Sequence, residues 1–359
     1  MNVVWFQKQK VSLAALPPRL ADQEQHAAQF CKMWQQGQPE FWLLTSGSTG
    51  TPKPQCLTRA QMEASARLTG EALGLTTGDK ALVCLPTRYI AGTMMLVRGL
   101  VLGLELHLYP PHRNPLALVA AGTSFDFTAM VPMQLETILR ETPQALAAFA
   151  HAKAILLGGA PLSATLEEQV QALPCPVYHT YGMTETVSHV ALRRLNGPER
   201  SAVFTSLPGI DLRLDDRGCL CIRGAVTNAQ WITTNDLVEL HADGRFRWLG
   251  RADHVINSGG VKVQPEAVEQ AVDKLWKENK IAERYFVGSQ PDKYLGQCVV
   301  LFVEGMPFPP TREEWLLEAL RERLPRYHAP KRLLYVPSFE ETPTGKIDRT
   351  GTLQKLARS

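Results

Sequence analysis

The chain has 359 residues, 45% of them hydrophobic and 20% charged, with a formal net charge of +3. Such a length is comfortable for two domains with sizeable cores, and the ordinary composition argues against a disordered or fibrous protein. A charge this small, with no Lys/Arg block, excludes a nucleic-acid footprint and leaves only a mild bias toward anionic substrates.

No 18-residue apolar run is present, and the first twenty residues lack an apolar leader with a small-residue cleavage site, so a cytoplasmic protein without membrane insertion is expected. Residues 1–40 read as a short strand followed by a helix from Asp22 to Gln36. The apolar run Phe41-Trp42-Leu43-Leu44 then enters LLTSGSTGTPKP (43–54). Gly47 and Gly50 let backbone N–H groups turn toward an anion, Thr45, Ser46, Ser48, Thr49 and Thr51 add short donors, and Lys53 adds a point charge. This is a phosphate-holding composition, although the spacing is not that of the G-x-x-x-x-G-K-[ST] loop. A flexible Gly/Ser/Thr linker has the same residue types.

Downstream, a helix is expected over Thr58–Leu73, with Thr58 as its N-cap and Gly74 closing it. Strand Asp79–Pro86, helix Ile90–Leu102 ending at Gly103, strand Glu105–Tyr109 and a helix near Pro115–Ala121 follow. After these come strand Phe127–Val131, helix Met133–Arg140 and strand Ala154–Leu157. Gly158-Gly159-Ala160-Pro161 breaks that strand and opens a helix through Val170, and strand Val177–Tyr181 delivers Gly182-Met183-Thr184-Glu185-Thr186 at its C-terminal end, where open α/β sheets bind ligands. Alternating strands and helices point to a parallel or mixed sheet covered by helices. From Gly209 to Leu249 the texture turns β-rich, with hairpin signals at Asp215-Asp216-Arg217-Gly218 and Asp243-Gly244-Arg245. A smaller unit begins near Gly250-Arg251: a Gly-rich turn, helix Pro265–Trp276, two strands, helix Arg312–Leu324 and a polar tail. The fold class is therefore α/β: a large N-terminal α/β domain (1–250) with a β-rich section, then a small α+β C-terminal domain (251–359). The seven cysteines and nine histidines are scattered without metal-ligand spacing.

Taken singly, several of these residues fit plainer roles. Thr184-Glu185 is also an N-cap with a first-turn acid. Tyr181 at a strand end also fits the core. Asp236 and Arg251 also suit a turn acid and a salt-bridged surface arginine.

Six motifs occurring in order change that balance: LLTSGSTGTPKP, LGGAP (157–161), YGMTET (181–186), TNDL (234–237), GRADHVINSGGVKVQPEAVE (250–269) and PTGKIDR (343–349). Together they resemble the adenylate-forming superfamily of acyl-CoA synthetases, adenylation domains and luciferases, over about residues 41–350. Within it the chain looks most like compact o-succinylbenzoate–CoA ligases of menaquinone biosynthesis. Another acyl- or aryl-CoA ligase, an enzyme loading a carrier protein, or a nucleotide-binding module without catalysis are the alternatives.

The resemblance implies two half-reactions: a carboxylate attacks the α-phosphate of ATP to give acyl-AMP and pyrophosphate, then a thiol displaces AMP. It implies ATP, Mg²⁺ and coenzyme A, with a small carboxylic acid and coenzyme A as partners and a homodimer as an admissible assembly. Thr45, Ser46, Gly47, Ser48, Thr49, Gly50 and Lys53 would hold the β and γ phosphates, Thr184 the α-phosphate, and Glu185 the metal. Tyr181 and Gly182, with Gly159, Ala160 and Pro161, would line adenine, and Asp236 and Arg251 would bond the ribose. Lys346 would bridge the carboxylate and the α-phosphate during adenylation. Asp253 would be the hinge of a mobile C-terminal domain, and Gly259 and Gly260 would let the pantetheine arm approach. Arg88, Tyr89 and Arg98 are candidates for an anionic acyl group, although Arg88 equally suits an ion pair with an acidic neighbour. Two features depart from the family pattern. Only residues 1–40 precede the phosphate loop, which implies a largely missing N-terminal subdomain, and the ribose motif reads TND where TGD is common.

Overall fold

A computed structural model of the protein describes residues 3–6, 9–12, 22–44, 54–341 and 347–356. The expected phosphate loop, Thr45 to Lys53, and Lys346 lie outside the described residues.

Strands β1 (Val3–Phe6) and β2 (Gln9–Ser12) pair antiparallel, where a single short strand or edge was expected, and α1 spans Asp22–Gln35. Next come β3 (Glu40–Leu44) and β4 (Pro54–Thr58), paired antiparallel with Leu44 opposite Pro54. The expected phosphate loop is therefore the connection of a hairpin. Its second strand is hidden in the sequence by a leading proline and short polar residues. Arg59 fixes this hairpin to α1: its guanidinium stacks 4.3 Å above Trp34 and donates to the Trp34 carbonyl at 2.6 Å.

Helix α2 (Arg59–Leu73) starts at a Thr58/Gln61 capping box and ends on left-handed Gly74. The chain continues through β5 (Lys80–Val83), α3 (Ile90–Leu102), β6 (Glu105–Leu108), β7 (Phe127–Met130), α4 (Pro132–Glu141) and β8 (Ala154–Leu157). It then forms α5 (Ala164–Gln169), β9 (Val177–Gly182), β10 (His189–Arg194) and β11 (Phe204–Ser206). The helix expected near Pro115–Ala121 is a four-residue 3₁₀ turn, Pro115–Leu118.

Strands β12 (Asp211–Leu214), β13 (Cys219–Arg223), β14 (Ile232–Leu240) and β15 (Arg245–Arg251) make up the β-rich section. They continue the main sheet, whose order is β12-β13-β14-β15-β11-β10-β9-β8-β7-β5-β6-β1-β2. The run from β9 to β1 is parallel and the remaining pairs are antiparallel. Period-two alternation divides the core between the two faces. Ala81, Val83, Ala154 and Leu156 pack with α1, α2 and α3, whereas Leu82, Cys84, Ile155 and Leu157 pack with α4 and α5.

A second sheet begins beyond a 3₁₀ turn, Ala252–His254. It contains β16 (Ile256–Ser258) and β17 (Val261–Val263), followed after α6 (Pro265–Glu278) by β18 (Tyr285–Asp292) and β19 (Gly296–Glu304). Helix α7 (Pro310–Arg323) leads to β20 (Arg332–Val336), which pairs parallel to β19, and α8 (Arg349–Leu356) closes the described chain. The tail expected to be merely polar thus holds a strand and a helix. This sheet has its own apolar clusters, built from residues after 255. No helix among the described residues is long and apolar enough to cross a membrane.

Candidate active site at the C-terminal edge of the main sheet

Parallel strands β5, β7, β8 and β9 all end on one edge of the sheet, and the chain there is forced into close backbone turns. A Cβ on Gly158 would lie 2.3 Å from Thr180 Oγ1, and one on Gly182 would lie 2.2 Å from the Ser188 carbonyl oxygen, so both positions exclude a side chain. Gly159 has φ +81°. Thr186 locks the turn after β9: its hydroxyl accepts from Met183 N–H at 3.0 Å and lies 3.0 Å and 2.9 Å from the carbonyls of Met183 and Ser188. This leaves the Thr184 and Glu185 side chains without a hydrogen-bonding partner among the described residues. Glu185 is exposed and Thr184 is buried at the turn.

The β14–β15 pairing places Asp236 opposite Arg251 and brings both to Tyr181 on β9. Tyr181 Oη donates to Asp236 Oδ2 at 2.7 Å, Trp248 Nε1 donates to Oδ1 at 3.2 Å, and Arg251 Nη1 lies 3.9 Å from Oδ1. Burial, then the charge on Asp236, raises the Tyr181 phenol well above its ordinary range. Trp248 escaped sequence reasoning because it resembles any apolar strand residue. The signal was its position two residues before Gly250, in a strand whose hairpin partner carries the TNDL motif.

Arg251 also faces the junction between the sheets. Its Nε and Nη2 donate to Asp253 Oδ1 and Oδ2 at 2.9 and 2.8 Å. Burial opposes ionisation of Asp253, but the guanidinium outweighs it and holds the carboxyl below its ordinary value. Gly259 and Gly260, both at positive φ, make the β16–β17 turn. Beside that turn lies a groove of about 530 Å³ lined by Ser258, Leu295, Arg326, Tyr327 and neighbouring residues.

The acyl-group candidates separate. Arg88 is exposed, with its guanidinium 5.6 Å from the Tyr89 ring centroid, and has no acidic partner among the described residues. Arg98 is only 2% exposed, donating from Nε to Thr69 Oγ1 at 3.3 Å and from Nη2 to Ser188 Oγ at 2.8 Å. His189 completes this interior network, 3.2 Å from Thr69 Oγ1 and 3.4 Å from Ser188 Oγ. Burial lowers Arg98 to about 10, and burial followed by the Arg98 charge lowers His189 well below its ordinary value. No carboxylate among the described residues pairs with Arg98. Ser188 links it to the turn that carries Thr184 and Glu185.

In front of this edge, Gln23 of α1 donates to the carbonyls of Leu85 and Tyr109, both at 3.1 Å, and Thr87 donates to the Gln23 carbonyl at 3.2 Å. The short N-terminal segment thus closes over the ends of β5 and β6. Among the described residues no cluster of three His, Cys, Asp or Glu side chains forms a metal centre. Glu185, a carboxylate without a hydrogen-bonding partner among the described residues, fits a hard cation that takes its other oxygens from phosphate and water, as Mg²⁺ does.

A family model described as AMP-binding enzyme matches residues 5–228. The chain is 31% identical over 346 residues to a probable 2-succinylbenzoate–CoA ligase from Mycobacterium tuberculosis, covering 88% of this chain and 84% of the relative. It is 29% identical to the 2-succinylbenzoate–CoA ligase of Salmonella typhimurium, covering 92% and 72%. Among solved structures, an acyl-CoA synthetase (AMP-forming)/AMP-acid ligase II-like protein from Dyadobacter fermentans is 46% identical, with a TM-score of 0.65 over 96% of this chain and 97% of that one. The O-succinylbenzoate coenzyme A synthetase of Bacillus subtilis, solved with ATP and a magnesium ion, shares the fold at 23% identity, with a TM-score of 0.72 over 87% and 69%.

Proposed function

The chain belongs to the AMP-binding enzyme family, and on that premise we propose that it is an AMP-forming ligase joining 2-succinylbenzoate to coenzyme A in the cytoplasm. The observation that carries the reaction class is the Tyr181–Asp236–Arg251 constellation, together with the Thr184 and Glu185 side chains, which have no hydrogen-bonding partner among the described residues. Asp236 is an acceptor for ribose hydroxyls, with Arg251 beside it as a donor. Gly159, Ala160 and Pro161 bound the adenine with Tyr181 and Gly182. Thr184 bonds the α-phosphate, and the hairpin loop Thr45–Lys53 takes the β and γ phosphates.

In the first half-reaction a carboxylate oxygen of the acid bonds to the α-phosphorus while the bond to pyrophosphate breaks. Negative charge gathers on the phosphoryl oxygens, and fixed donors there lower the barrier. Glu185 would hold the Mg²⁺, which supplies charge neutralisation on the phosphates when bound. Lys346 bridges the incoming carboxylate and the α-phosphate. In the second half-reaction the thiol sulfur bonds to the acyl carbon and AMP leaves. The groove beside Gly259 and Gly260 admits the pantetheine arm, and Asp253 is the pivot between residues 1–250 and 251–359.

Two findings favour the diacid. Curated relatives at 31% and 29% identity are named for it, and Arg98 is a buried cation without a carboxylate partner among the described residues. A second carboxylate that reached Arg98 would be compensated there. A panel of carboxylic acids, scored by pyrophosphate release with and without coenzyme A, tests the proposal. Release and thioester formation with 2-succinylbenzoate are expected. Release without a thioester would move the acceptor to a carrier protein, and no release with any acid would leave only a nucleotide-binding module.

A further inference from the structure

Helix α6 carries Glu269 against the base of the segment that follows Lys346. Nη2 of Arg349 lies 3.0 Å from Glu269 Oε2 and 2.9 Å from Oε1, and the Val287 N–H donates to Oε1 at 2.8 Å. The two side chains are mostly enclosed, 17% and 27% exposed. Around them Ile347 and Leu353 pack on the apolar cluster of Phe286, Phe302 and Phe339. Ile347 pairs with Glu341 in an antiparallel bridge, and Asp348 N–H donates to the Glu340 carbonyl at 2.8 Å. One helical turn before Glu269, Glu266 Oε1 lies 2.9 Å from His254 Nδ1, and the same carboxylate approaches Gly250, beside the junction of the two sheets.

We propose that Glu269 is a positioning residue for acyl-adenylate formation, acting by holding Arg349 and thereby the covalent base that carries Lys346. The inference rests on the reading of Lys346 given above. An ion pair this enclosed adds little net stability over apolar side chains of the same size, so stability alone is a poor reason for it. What a charged, directional pair supplies is geometry. Ile347 is the next residue after Lys346, and Arg349 is two further on, so tying Arg349 to α6 anchors the chain three residues beyond the lysine. Because α6 also reaches His254 through Glu266, the anchor at Arg349 is referenced to the junction-side helix.

The test is single-turnover kinetics of each half-reaction for Glu269→Gln, Arg349→Gln and Lys346→Ala, with a double-mutant cycle. Misplacing a reacting group by about 1 Å costs roughly 100-fold, so Glu269→Gln and Arg349→Gln should each slow acyl-AMP formation by about 10- to 100-fold. Conversion of supplied acyl-AMP and coenzyme A to the thioester should stay within about twofold. On a Lys346→Ala background, Glu269→Gln should add nothing, since both act through one group. Equal loss in both half-reactions, or full additivity with Lys346→Ala, overturns the inference and makes the pair structural. Normal adenylation in both pair variants beside a strong Lys346→Ala defect overturns it while leaving the lysine's role standing. Normal adenylation in Lys346→Ala removes that role and the inference with it. Arg349→Gln leaves Glu269 bonded to Val287 N–H and free to take up a proton, so it keeps the test open where Glu269→Gln does not fold.

Discussion

Tyr181 Oη donates to Asp236 Oδ2 at 2.7 Å, joining a parallel strand of the main sheet to an antiparallel one 55 residues later in the chain. The bond orients the carboxylate that is proposed to meet the ribose. A hydrogen bond to a charged group contributes about 1.5–3 kcal/mol. Tyr181→Phe and Asp236→Asn should therefore each raise the KM for ATP at least about tenfold with the fold intact. Initial rates of pyrophosphate release against ATP concentration measure this, and unchanged KM values in both variants would remove Asp236 from the nucleotide site.

Glu185 has no hydrogen-bonding or ion-pair partner among the described residues at the turn after β9, so its loss should cost metal dependence rather than stability. Glu185→Gln is expected to depress adenylation and to shift its Mg²⁺ requirement upward, while the melting temperature moves by less than about 2 °C. Unaltered pyrophosphate release at limiting Mg²⁺ would place the metal on other groups.

Arg98 separates stability from specificity. Replacing a buried ion with an apolar side chain of similar volume is often neutral or stabilising, so Arg98→Met should fold at least as well as the parent protein. The same change should weaken use of the diacid by about 2–5 kcal/mol, the loss expected when one partner of a buried charge pair is removed. Comparing 2-succinylbenzoate with each of its monoesters in parent and variant enzymes shows which carboxylate is read. Equal use of benzoate and the diacid by the parent would end the assignment of the acyl group.

The proposed hinge has a distinct signature. Asp253→Pro fixes φ within the three-residue turn between the two sheets and removes the Arg251 pair. Thioester formation from supplied acyl-AMP should then fall while acyl-AMP formation persists. The opposite ordering, measured in single-turnover experiments, would mean that the pivot lies elsewhere.

Two histidines near the site give a pH dependence of folding. Burial first, then Arg193, lowers His179 to about 3, and His189 is also held well below its ordinary value. Below about 6.5 the unfolded chain binds protons at these residues that the folded chain does not. Stability should therefore fall as pH drops through 6.5, continuing toward 3 for His179, with each histidine approaching about 1.4 kcal/mol per pH unit. Urea midpoints between pH 7 and 5 should decline less steeply in His179→Gln, and parallel slopes would refute the assignment.

Elements with local punctuation were legible in the sequence. Ile90–Leu102 matches residue for residue because Gly103 closes it in the left-handed conformation, and Thr58 caps α2 as its hydroxyl chemistry implies. What escaped depends on partners remote in sequence. Strand β20 exists because β19 pairs with it, and the β-rich section joins the main sheet through β10, β11 and β15, a registry no local pattern encodes. Motif order pointed to Asp236, Arg251 and Tyr181, which the β14–β15 register and β9 bring together. It gave no hint that Trp248 shares that carboxylate, nor that Arg98 lies in the interior while Arg88 faces solvent.

Strand β12 ends the thirteen-strand order on one side and leaves one row of backbone donors and acceptors without a neighbouring strand. Its sequence, DLRL, sets Asp211 and Arg213 among two leucines, with Asp211 tied to Arg223 at 2.7 Å and Arg213 stacked 4.2 Å over Trp231. A second molecule adding itself along this margin would have to strip water from those charges and break their pairing, which opposes growth of the sheet from one molecule into the next. Resistance to aggregation at this margin thus resides in two charged side chains, and neutral β-formers at Asp211 and Arg213 would turn the margin into a template for self-association.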